Sequence, residues 1–277
     1  SVAVESPTYL GALQAFTPYE GETVAIDCDD DGPLPASLQA RAKGARFLYV
    51  LPNFQNPSGR SIVATRRAEI AHTAEAMGLP IVEDNPYGDL WYDAAPPPPI
   101  SSHWREGSIY LGSFSKVLAP GLRLGWCVAP QAVFPKLLQA KQAADLHTPG
   151  FNQRLVFEVV KDGFLAEHVP TIRARYKTQR DAMQASLAAH LPQSGPRACR
   201  WRVPGGGMFF WVELPQGVDA EALLPRAVKR GVAFVPGAPF FARDAMKNTL
   251  RLSFVTVSPE RIDQGIRALA AALEETP

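Results

Sequence analysis

The 277-residue chain is long enough for one large domain with a smaller one beside it, and its core can be substantial. With 28 Lys and Arg against 27 Asp and Glu, the formal charge of +1 excludes the electrostatic footprint of a nucleic-acid or anionic-membrane binder and favours a small-molecule ligand. Three widely spaced cysteines (Cys28, Cys127, Cys199) without a C-x-x-C pair argue against a disulfide framework or a zinc site and point to the reducing cytosol. No apolar run approaches the roughly 18 residues of a membrane span, and the opening SVAVESPTYLG lacks the basic flank of a secretion signal.

In chain order, residues 1–7 (SVAVESP) read as an opening strand. Residues 29–32 (DDDG) leave two readings open, a solvated turn and a metal site. The apolar and aromatic run 46–51 (RFLYVL), stopped by Pro52, predicts a buried strand, and 53–59 a polar turn. Thr65 is placed to cap a helix whose Ile70, Ala71, Ala74 and Met77 recur at three- and four-residue spacing, with Gly78 ending it. A strand at 79–83 follows. This is a βαβ unit with a right-handed crossover and parallel strands, so the class is α/β. The prolines of 94–99 predict a stiff, extended surface loop. Residues 108–112 form a third strand running into Ser113, Phe114, Ser115 and Lys116, and 122–128 a strand returning toward the sheet. Helices are expected at 130–146, 152–163 and 167–190, the last linking two lobes. Short strands at 201–203, 209–214, 233–235 and 250–254, with helices at 220–230 and 259–274, then make an α+β lobe. The five histidines are scattered without ligand spacing and read as structural.

The polar residues collect at strand ends, where open α/β sheets bind their ligands. Asn56, Asp84, Tyr87 and the Ser113 to Lys116 turn come from three such loops. Alone, Lys116 is one more surface lysine. Beside it, however, Ser113 and Ser115 offer hydroxyl and backbone donors, and Arg123 follows after the Pro120-Gly121 turn, which makes a phosphate-binding set. An amine that condenses with an aldehyde must be partly unprotonated, and a neighbouring cation or a desolvating pocket lowers its pKa. Asp84 reads either as the acid that keeps a ring nitrogen protonated or as a turn acid. Arg251 reads as a fork for a planar carboxylate or as a surface strand arginine. Tyr9 is a ring-stacking residue or a core aromatic, and Gly205, Gly206 and Gly207 let backbone approach a substrate or form a plain turn.

Six motifs carry a resemblance over the whole chain: Pro7-Thr8-Tyr9, 52–59 (PNFQNPSG), 82–87 (VEDNPY), 112–116 (GSFSK) with 119–125 (APGLRLG), 204–211 (PGGGMFFW) and 250–254 (LRLSF). In order and separation they resemble the fold-type-I, class I/II aminotransferases that use pyridoxal 5'-phosphate, especially the 2-aminoadipate and kynurenine aminotransferase branch. The resemblance implies a large domain with a mostly parallel sheet (1–165) and a linking helix with a small α+β domain (166–277). It makes Lys116 the residue that carries the cofactor as a Schiff base and shuttles the proton. Asp84 pairs with the pyridine nitrogen, Tyr87 and Asn56 hold the 3-oxygen, and Tyr9 stacks on the ring. Ser113, Ser115 and Arg123 hold the phosphate, while Arg251, with Asn56 nearby, takes the substrate α-carboxylate.

The reaction implied is a two-stage transamination between an L-amino acid and a 2-oxo acid, most simply 2-oxoglutarate, in a cytoplasmic homodimer that binds neither nucleic acid nor membrane. In this branch a long N-terminal segment precedes the position of Ser1. It supplies a Gly-Ser-Gln-type turn for the phosphate, part of the small lobe and side chains for the substrate tail. Two readings follow: the 277 residues are part of a longer polypeptide, or part of the phosphate site and dimer interface is absent. Two other functions share the architecture, the cofactor-sensing domain of a winged-helix transcription regulator and a related lyase.

Overall fold

The structure, a computed structural model, describes residues 1–275. Its larger sheet is built from β1 (Val2–Glu5), β2 (Thr23–Ile26), β5 (Leu48–Val50), β6 (Ile81–Asp84), β7 (Ser108–Ser113) and β8 (Gly125–Val128), in the order β2-β1-β5-β6-β7-β8. Every neighbouring pair is parallel except β7 and β8. Side chains alternate across a strand. Ala3, Leu48, Val50 and Ile81 therefore pack on one face against α2 (Pro35–Arg41) and α3 (Ala64–Ala76). Val2, Val4, Tyr49 and Leu51 pack on the other, against α1 (Leu10–Phe16).

The connection from β5 to β6 departs from expectation at its start. Thr65 lies inside α3, and Val63 occupies the N-cap without a side-chain cap bond. The helix begins early because Ile62 is buried, with its carbonyl accepting a 2.8 Å bond from Nε of Arg67 in the first turns. The other end matches. Gly78 sits at φ +61°, with Gly78 N–H donating to Glu75 and Leu79 N–H to Ala74, the paired bonds of a Schellman stop.

The acidic stretch at 29–32 is a hairpin turn between β3 (Cys28–Asp29) and β4 (Gly32–Pro33). Two of its three carboxylates pair with arginines, Asp29 with Arg66 at 3.0 Å and Asp30 with Arg202, and among the described residues no group of three or more His, Cys, Asp or Glu side chains is placed to hold a metal ion. The proline loop is more than a surface spacer. The buried Arg67 donates to the carbonyls of Pro97 and Pro98, and the buried Glu83 accepts from the N–H groups of Ile100 and Ser101.

After β8 the chain forms α4 (Phe134–Asp145), α5 (Gly150–Val160) and α6 (Phe164–His190). A second, antiparallel sheet follows in the order β11-β12-β10-β9, from β9 (Arg200–Trp201), β10 (Phe209–Glu213), β11 (Val235–Pro236) and β12 (Thr249–Ser253). Its helices are α7 (Ala220–Lys229), capped by Asp219, and α8 (Pro259–Glu274). Phe210, Val212, Leu250 and Leu252 form a core with Leu187 of α6 and with Ile262, Ile266 and Leu269 of α8. Among the described residues no helix is long and apolar enough to cross a membrane.

Candidate active site

Three parallel strands deliver the site. β5 runs into the Pro52 to Asn56 turn, β6 ends at Asp84 with Tyr87 just beyond, and β7 ends at Ser113 with Lys116 in the following turn. Their carboxyl ends lie side by side because the strands are parallel neighbours in register, with Tyr49 opposite Val82 and Asp84 opposite Leu111. The fourth contribution comes from the second sheet. On β12, Leu250 and Leu252 face that sheet's core, so Arg251 between them points the other way. Its guanidinium carbon lies 4.1 Å from the Phe209 ring centroid and 5.1 Å from that of Phe240, and Nη1 donates to Oδ1 of Asn56 at 2.6 Å.

These groups perturb one another. Burial, followed by the charges of Arg123 and Arg251, lowers the pKa of Lys116 below that of an ordinary lysine. Burial raises the pKa of the Asp84 carboxyl, while a 2.5 Å hydrogen bond from the Tyr49 hydroxyl opposes the rise. Burial also raises the pKa of the Tyr87 phenol, against the pull of Arg251 and of the Asn56 side chain. Tyr9, half exposed at the start of α1, lies close enough to act on Tyr49, Tyr87 and Arg251.

The structure thus gathers Tyr9, Asn56, Asp84, Tyr87, Lys116, Arg123 and Arg251, with Ser113 and Ser115 on the same turn as Lys116. Two details differ from the sequence reading. The backbone N–H of Ser115 donates to Oγ of Ser113 at 3.1 Å and is therefore not free for an anion, while the hydroxyls and the guanidinium of Arg123, whose Nη1 donates to the Pro120 carbonyl at 3.3 Å, are donors of the same region. Two of the three glycines at 205–207 are needed for packing, Gly206 and Gly207, whereas a Cβ on Gly205 would meet nothing nearer than the Phe54 ring at 3.8 Å. A Cβ on Gly206 would lie 2.4 Å from the Leu90 carbonyl, and one on Gly207, at φ +74°, would lie 2.7 Å from Cβ of Phe54.

Class I and II aminotransferases match residues 1–269 of the chain as a family. The chain belongs to that family. The aromatic-amino-acid aminotransferase 1 of Thermococcus litoralis is 43% identical over 282 residues, covering 99% of this chain and 67% of the relative. The 2-aminoadipate transaminase of Thermus thermophilus is 42% identical over 279 residues, covering 99% and 69%. The crystal structure of Pyrococcus horikoshii kynurenine aminotransferase, in complex with PMP, superposes with a TM-score of 0.92 at 41% identity, covering 99% of this chain and 69% of that one.

The cofactor of this aminotransferase is pyridoxal 5'-phosphate, and the donor set fits it. An amine of lowered pKa suits an aldehyde, a partly buried carboxylate suits a cationic ring nitrogen, and two hydroxyls with a guanidinium suit a phosphate. When bound, the cofactor supplies an electron sink for the carbanion left at the substrate α-carbon.

Sequence reasoning missed Tyr49, Phe209 and Phe240. Tyr49 carried a usable signal, because a tyrosine in the middle of a buried strand must find a partner for its hydroxyl.

Proposed function

We propose that this aminotransferase moves the amino group of an aromatic, kynurenine-like or 2-aminoadipate-like amino acid onto 2-oxoglutarate, with Lys116 as the nucleophile and proton carrier. The supporting observation is the convergence of a half-buried amine whose pKa is lowered by burial and two arginines with the partly buried Asp84 and with Arg251. In this reading the Lys116 amine would hold the cofactor at its aldehyde carbon and, when free, would carry the proton away from the substrate α-carbon. Asp84 keeps the ring nitrogen protonated, Tyr87 and Asn56 hold the 3-oxygen, Tyr9 covers the ring, and Ser113, Ser115 and Arg123 bind the phosphate. Arg251 takes the α-carboxylate through two parallel hydrogen bonds, its plane set by Phe209 and Phe240. The substrates for which the relatives are named support the donor class.

The working unit in this proposal is a cytoplasmic homodimer, with residues 1–165 as the cofactor-binding unit and 166–277 as the smaller one, whose last two residues lie outside the described residues. Strand β8 at the sheet edge exposes all four of its residues, and α4 and α5 expose Phe134, Leu138, Phe151 and Phe157, which supports an apolar interface there. The deciding experiment is an absorbance spectrum of the purified protein with cofactor, a panel of amino donors and 2-oxoglutarate. Wild type is expected to show a cofactor band that changes with an amino donor and returns with the oxo acid. Lys116→Ala is expected to lose that response. A wild type that stays colourless refutes the reading.

A further inference from the structure

We propose that Tyr49 is a positioning residue for Asp84. Its hydroxyl holds Oδ2 of the carboxylate and leaves the other oxygen aimed at the cofactor's ring nitrogen. The proposal rests on the role given to Asp84 above and adds a residue that acts through it.

The geometry follows from strand register. Tyr49 lies opposite Val82, and Asp84 is two residues further along β6, hence on the same face and roughly 6–7 Å up the strand. A tyrosine side chain leaning along its strand spans that distance, and its hydroxyl donates to Oδ2 of Asp84 at 2.5 Å. The ring cannot swing away. It is 4% exposed, meets Phe16 edge-on at 5.8 Å between centroids, and packs with Val2, Val4, Ala12 and Leu51.

Those neighbours are all apolar, so a phenylalanine would fill the same space. The hydroxyl is the one polar atom Tyr49 brings into that cluster, and burying it is favourable only with a partner. Burial and the adjacent Asp84 push the phenol's pKa well above its ordinary value, so it remains a donor throughout the working pH range. Burial alone would favour a neutral Asp84, which cannot pair with a ring cation, and the Tyr49 bond favours the ionised form. The other ionisable groups acting on this pair are Glu5, Tyr9 and Tyr87.

The test uses the full chain with Tyr49→Phe. In protein without added cofactor, carbon-13 NMR of the Asp84 carboxyl should show it titrating at higher pH than in wild type. Cofactor affinity, read by absorbance titration, should fall about tenfold, the loss expected for one hydrogen bond to a charged group. In steady-state assays kcat should fall with little change in the amino donor's KM. Should Tyr49→Phe fail to fold, site-specific 3-fluorotyrosine at position 49 gives a near-isosteric phenol that donates more strongly, and Asp84 should then titrate lower than in wild type. A wild type that takes up cofactor, beside a Tyr49→Phe protein with unshifted Asp84 and unchanged affinity, overturns the role of Tyr49 alone. A wild type that takes up no cofactor overturns the reading of the site and this proposal with it.

Discussion

Glu5 closes β1 with its side chain almost wholly buried, accepting a 2.7 Å hydrogen bond from the backbone N–H of Leu51. Burial raises its pKa from the ordinary 4.5 to about 7, against the opposing influences of the Leu51 N–H, the charge of Arg60 and the Gln55 side chain. Between these two values the folded chain holds a proton that the unfolded chain has released. The proton count is therefore larger in the native state, and stability must fall as pH rises from 4.5 through about 7. At about 1.4 kcal/mol per pH unit, the whole loss is on the order of 3 kcal/mol, and between about pH 5 and about pH 8 it is on the order of 2–3 kcal/mol. Glu5→Gln removes the titration and keeps an oxygen for Leu51. Reversible urea unfolding of both proteins across this window separates Glu5 from every other titrating group. The wild type is expected to lose about 2–3 kcal/mol relative to the variant on going from acid to alkaline pH, so that the variant gains its advantage at the alkaline end. Parallel stability curves for the two proteins would refute the argument.

Arg67 is buried and donates to the carbonyls of Ile62, Pro52, Pro97 and Pro98 and to the Asn53 side chain. Arg67→Met leaves those acceptors without their donor and should lower urea stability by at least about 3 kcal/mol, so a loss below about 1 kcal/mol would contradict that role. Two glycines at positive φ separate strain from crowding. Gly78→Ala, with nothing within 4 Å of the new methyl, should cost about 1 kcal/mol, whereas Gly207→Ala also collides with Phe54 and should cost clearly more in the same unfolding assay. Arg251→Lys keeps the charge but loses the planar fork and its stacking between Phe209 and Phe240. The KM for the amino donor should rise about tenfold or more, and an unchanged KM would remove Arg251 from the carboxylate site.

The elements that were legible in the sequence are those whose signal is local. The run RFLYVL, the three- and four-residue spacing closed by Gly78, and the helix expected at 220–230 are each readable from a short stretch, and each has its counterpart in β5, α3 and α7. The helices α1 and α2 span 7 residues each and give too few turns for periodicity to register, although Pro35 at the first position of α2 was an available cue. The β3 to β4 hairpin, with strands of 2 residues each, was missed for the same reason of length, whereas β2, at 4 residues as long as β1 and β6, was simply not read.

The polar residues divide along another line. Asn56, Asp84, Tyr87 and Lys116 group together on the sequence alone, because parallel strands bring their carboxyl ends to one edge whatever the side chains are. Glu5, Tyr49 and Arg67 do not, because their partners are set by strand order and register. Glu5 binds Leu51 at a separation of 46 residues, and Tyr49 reaches Asp84 across 35. In a linear reading the charged Glu5 and Arg67 count toward the surface, whereas Tyr49 already lies in a strand read as buried, and what the letters withhold is its partner, which becomes visible only once β5 is known to lie between β1 and β6. Arg251 combines the two cases. Its alternation with Leu250 and Leu252 marks it as facing away from its own core. The 195-residue separation from Asn56 is closed only by the packing of one sheet beside the other, and this contact turns a strand arginine into a place for a carboxylate.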